Sequence, residues 1–115
     1  GGGAGGNPWL FSRAQALIDG KPDPGAPTAR NVHETLEAHL AALFDGENLE
    51  EPGRERALVR TFRKHLRHYL EGFCLHEEAL SAKLGRMLRM ETREALSGAV
   101  TEFFEEVPET AHRVD

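Results

Sequence analysis

The residues whose types and spacing could do chemistry are cations. Residues 54–73 read RERALVRTFRKHLRHYLEGF. Wound as an α-helix, this stretch places Arg56, Arg60, Arg63, Lys64, Arg67 and His68 on one surface or its flanks. The other surface is apolar: Leu58, Phe62, Leu66, Tyr69 and Phe73 recur at spacings of four, four, three and four, one stripe facing a core. Such a helix packs one way and offers charge the other, and clustered cations bind anions, phosphates above all. Lys83, Arg86 and Arg89 of a later segment are available to extend that surface. A solvated helix face with ion-paired neighbours has the same pattern, so spacing alone leaves both readings open.

The charge balance localises the anion-binding reading. The 115 residues carry a formal net charge of −5, which argues against a chain that binds polyanions over its whole surface. From Arg54 to Arg93, however, ten Lys/Arg stand against five Asp/Glu, while the remainder carries four against fourteen. A basic middle in an acidic chain is the pattern of one cationic face.

Other chemistry has less behind it. His65 and His68 lie a helical turn apart with Cys74 and His76 soon after, but no C-x-x-C or H-E-x-x-H spacing supports a metal site. Cys74 near a histidine has no third group or oxyanion loop to make it a nucleophile and reads as a structural thiol. Glu77-Glu78 and Glu105-Glu106 read as solvated helix surface rather than catalytic pairs. No catalytic residue and no metal ligand is expected.

The elements that must position the cations are helical. Hydrophobic content of 39% and charged content of 29% are ordinary for a globular protein, and the length suits one core. A single cysteine excludes an internal disulfide framework and fits a reducing compartment. No apolar run is long enough to span a bilayer, and a cytoplasmic location with no membrane partner is the expectation. Asn7 and Pro8 open a short helix that Gly20 closes; the glycines before it would expose N–H groups at a helix N-terminus, which suits a phosphate. Residues 21–27 are a proline-rich linker. Thr28 caps a helix to about Asp45 with Val32, Leu36, Leu40, Leu43 and Phe44 inward.

The basic helix follows, to about Gly72. Glu77 to Arg89 forms another, with Leu80, Leu84, Met87 and Leu88 inward. The last begins near Thr92, buries Leu96, Ala99 or Val100, Phe103 and Val107, and stops before Pro108. The expectation is all-α: an antiparallel bundle of about four main helices over residues 28–108, a short extra N-terminal helix within 1–20, and a frayed tail at 109–115.

Two stretches resemble the tRNA-dihydrouridine synthases, flavoenzymes with a catalytic TIM barrel followed by a helical domain. Gly1 to Trp9, G-G-G-A-G-G-N-P-W, is similar to the family's G-R-G-A-x-G-N-P-W segment after the last barrel strands. Arg63 to Leu70, R-K-H-L-R-H-Y-L, is similar to the R-K-H-x-x-W-Y pattern of its helical domain. Leu80 to Met87 and Met90 to Leu96 resemble its final helices, in the family's order.

The resemblance implies the C-terminal part of such an enzyme, with the upstream barrel as its partner. By match, Gly1, Gly2 and Gly3 would cradle the phosphate of FMN in the parent enzyme, at the place where TIM barrels bind phosphate. Gly2 stands where the family carries arginine, which removes a guanidinium contact to that phosphate. Uridine reduction, with NADPH as reductant, would belong to the barrel, and Cys74 does not match the family's catalytic cysteine. No cofactor is expected on these residues alone. Their implied part is to bind tRNA through Arg60, Arg63, Lys64, Arg67, His68, Lys83 and Arg86. The alternative is a helical protein-interaction module whose basic face docks an acidic partner.

Overall fold

The computed structural model of the chain describes residues 15–21 and 25–114. Among these, the regular elements are all helical: α1 (residues 15–18), α2 (Ala29–Phe44), α3 (Arg54–Arg63), α4 (Leu66–Leu70), a 3-10 turn η1 (Glu71–Phe73), α5 (Glu77–Met87) and α6 (Arg93–Glu105). The chain is an all-α helical bundle. No helix among the described residues is long and apolar enough to cross a membrane. The glycine run 1–3, expected at a flavin phosphate, and Asn7 to Trp9 lie outside the described residues.

Local sequence explains most boundaries. Gly20 closes α1 with a φ of 71°, a left-handed conformation that suits a residue without a Cβ. Thr28 starts α2 through a capping box: its hydroxyl accepts from the Asn31 N–H at 3.2 Å, while the Asn31 side chain reaches back to the Thr28 N–H. Thr92 does the same work for α6, accepting from the Ala95 N–H at 3.1 Å. α6 has a second, non-local cap, because the Glu55 carboxylate on α3 accepts from the Arg93 N–H at 3.0 Å.

From α2 to α6, each helix contributes its stripe to one core, whereas Leu17 and Ile18 of α1 are exposed. Val32, Leu36, Leu40 and Phe44 of α2 meet Leu58, Val59 and Phe62 of α3, Leu66, Tyr69 and Leu70 of α4, Leu80, Leu84 and Met87 of α5, and Leu96, Val100, Phe103 and Phe104 of α6. Phe62 is fully enclosed, and α2 runs against α3, α4 and α6. Leu43, Phe73 and Val107 are only partly buried at its margin. Leu88 departs from expectation: it is 50% exposed, because α5 ends at Met87 and the next residue falls off the buried stripe.

Two further expectations are corrected. The basic stretch is not one rod, since the ladder tightens at Lys64 and His65, where the His65 N–H donates to the Phe62 carbonyl three residues back. This bend gives the two halves different partners, α3 packing on α2 and α6, and α4 on α2 and α5. The described tail, residues 109–114, is docked rather than frayed. Its carbonyls supply acceptors for the orphan N–H groups of α2: Ala29 donates to Ala111 at 2.8 Å and Arg30 to Glu109 at 3.1 Å.

The same tail reaches α4. Arg113 is 5% exposed, donates to the carbonyls of His68 and Tyr69, and lies 3.5 Å from the Glu71 carboxylate. It closes the last turn of α4 as a cation at a helix C-terminus should. Gly72 makes room for it, as a Cβ there would fall on the Arg113 Cγ.

Candidate nucleic-acid interface

The seven cations expected to face RNA separate by what holds them. Arg60 and Lys64 project from successive turns of the α3 surface, are exposed, and have side chains with no hydrogen bond or ion pair among the described residues. Arg89, just past the end of α5, is exposed and free in the same sense. Arg63, between Arg60 and Lys64 and Arg67 in sequence, is instead a strut. Its Nη1 donates to the carbonyl of Leu88 and to that of Met90 at 3.3 Å, satisfying groups beyond the C-terminus of α5.

That strut brings Arg89 to the α3 surface, because Leu88 and Met90 flank it. Two turns earlier on α3, Arg56 pairs with Glu91 at 3.6 Å, a second tie between the same two segments. Arg60 lies between the two ties in sequence. The unpaired cations are thus Arg60 of α3, Lys64 at its C-cap and Arg89 of the α5–α6 turn, on two segments tied by Arg63 and Arg56.

The remaining expected residues face carboxylates. Arg67 grips Glu77 with both terminal nitrogens, at 3.2 and 3.0 Å. Its guanidinium and the Ser81 hydroxyl, by hydrogen bonding, hold the Glu77 carboxyl below the usual carboxylate range. His68 sits 3.9 Å from Glu71. Lys83 meets Glu106 at 2.8 Å and Arg86 meets Glu102 at 3.1 Å, so acids of α6 neutralise that flank. A bond from Lys83 likewise lowers the Glu106 carboxyl. All these pairs are largely exposed and open to competition from a polyanion and salt.

Below the free cations runs a groove of about 290 Å³ between the α3–α4 bend and α5, lined by Arg63, Arg67, Ser81, Leu84, Gly85 and Leu88. A larger cleft, about 540 Å³, lies between α2 and α6 and is bordered by Glu34, Glu105 and Glu109, a poor setting for a phosphate.

Sequence reasoning passed over a polar cluster on the inner side of the bend. His39 Nδ1 and the Tyr69 hydroxyl are 2.7 Å apart, and the His39 ring lies 5.1 Å from His65 and edge-on to Phe62 at 5.0 Å. Burial holds the His39 imidazole below the usual histidine range, and neighbouring His65 pushes the same way. Burial raises the Tyr69 phenol. His39 falls one residue from Leu40 and carries no sequence signal beyond its own type. Cys74 is half-buried against the core with its thiol 3.7 Å from the His76 carbonyl. Among the described residues, no three His, Cys, Asp or Glu side chains converge to hold a metal ion. No family model, no curated protein and no solved structure matches this chain.

Proposed function

We propose that this chain is the tRNA-binding helical part of an FMN-dependent tRNA-dihydrouridine synthase, a cytoplasmic enzyme whose barrel reduces uridine with FMN and NADPH. The observation that carries the RNA-binding half of this reading is the set of unpaired cations Arg60 and Lys64, on α3 and its C-cap, and Arg89, past the end of α5, in two segments tied by Arg63. Phosphate contacts from flexible, unpaired cations give salt-dependent affinity, and the shape of the folded RNA gives register. The family half rests on the R-K-H-L-R-H-Y-L stretch, Arg63 to Leu70, and on the G-N-P-W opening, Gly6 to Trp9. In this role the chain orients tRNA and the barrel does the chemistry.

Titration of fluorescently labelled tRNA with the 115-residue chain at low and moderate salt tests the reading. Binding at low salt that weakens steeply as salt rises is expected. Absence of binding at low salt, with self-association in sedimentation instead, would replace it with a protein-docking role for the basic face.

A further inference from the structure

The groove beside the free cations offers something a phosphate does not need. One wall is made of Arg63 and Arg67, the other of Ser81, Leu84, Gly85 and Leu88 on successive turns of α5. Both arginines are already engaged through edge N–H groups. Arg63 Nη1 is on the backbone carbonyls of Leu88 and Met90, and the Arg67 fork is closed on Glu77. A guanidinium with its fork occupied is a poor claw for a phosphate but keeps its planar faces, and those faces stack on rings. The opposite wall suits a ring as well. Leu88 is half-exposed with no apolar cover, and at Gly85 nothing lies within 4 Å of where a Cβ would be, so a flat group can approach the helix backbone. Ser81, the polar residue of that wall, stands on the turn of α5 before Gly85.

A space of about 290 Å³ is at the small end of ligand clefts and admits one ring system rather than a folded segment. We infer that this groove seats one unstacked nucleobase of the bound RNA, stacked on the Arg63 and Arg67 faces and against Leu88, while Arg60, Lys64 and Arg89 hold neighbouring phosphates. The inference rests on the RNA-binding reading and adds to it a preference: RNA with an unpaired nucleotide binds better than a fully stacked duplex of equal charge.

The test uses the 115-residue chain and two labelled RNAs, a hairpin with an open loop and a blunt duplex with the same number of phosphates. Gly85→Leu fills the groove from a helix-interior position and improves helix propensity, so folding is retained. Leu88→Ala removes the apolar wall without protruding. Wild type should prefer the hairpin, and each variant should lose roughly tenfold in hairpin affinity with less than about twofold change for the duplex and an unchanged salt slope. Equal affinity of wild type for both RNAs, or equal effects of the variants on both, overturns the nucleobase site and leaves the cationic surface standing. Failure of wild type to bind either RNA at low salt overturns the RNA-binding reading itself, and this inference with it.

Discussion

Two residues, one buried and one half-buried, make specific demands that their neighbours must meet. Gly72 is one: a methyl group there collides with Arg113, whose guanidinium closes the end of α4. Gly72→Ala should therefore destabilise the fold by about 1–3 kcal/mol, the usual cost of overpacking. Urea denaturation measures the loss; Arg113→Ala removes the collision together with the donor to the His68 and Tyr69 carbonyls, so adding Gly72→Ala to Arg113→Ala should cost little further. His39 is the other. Its folded-state pKa lies below its ordinary value, so around pH 6 the unfolded chain binds the proton more readily than the folded one. The resulting contribution to stability is whole above the ordinary histidine pKa and is lost as pH falls from there through the lower folded value. Denaturation midpoints measured from pH 7.5 downward should fall in wild type. They should fall less steeply in His39→Gln, which offers the Tyr69 hydroxyl an amide oxygen in place of the ring nitrogen. Neither demand was readable beforehand, since a hydrogen bond between residues thirty or more positions apart leaves no periodic trace in sequence.

The helices themselves were legible because burial imposes period and caps impose residue types. Leu36 and Leu40, Leu80 and Leu84, Leu96 and Phe103 are buried as their spacing requires, and Thr28 and Thr92 cap as short hydroxyl side chains do. What failed were the joints. The bend at Lys64 and His65 has no proline or glycine to announce it; it exists because α3 and α4 serve different neighbours. The tail read as frayed because its sequence has no apolar stripe, yet it supplies backbone carbonyls to α2 and the buried Arg113 side chain to α4. Ending the chain after Pro108 should thus uncap α2 and release the end of α4, lowering stability by at least about 2 kcal/mol. Thermal unfolding followed by circular dichroism checks this; an unchanged midpoint would mean that solvent satisfies those groups as well as residues 109–114 do.

For the molecule as a whole, the cationic face was visible as composition, but which of its cations lack a carboxylate partner was not. Sequence placed Lys83 and Arg86 on equal terms with Arg60 and Lys64, and only the packing of α5 on α6 shows the former pair opposite Glu106 and Glu102. A polyanion gains most from cations that have no partner to give up, so affinity should concentrate where pairs are absent. The deciding comparison is tRNA affinity, at low salt and as a function of salt, for two variants of identical charge change: Arg60→Gln with Lys64→Gln, and Lys83→Gln with Arg86→Gln. The first should weaken binding by on the order of tenfold or more and reduce the salt slope by about two; the second should change affinity by less than about threefold. Equal losses from both variants, or tRNA binding that ignores the Arg60 and Lys64 substitutions, would contradict an interface built on the unpaired cations.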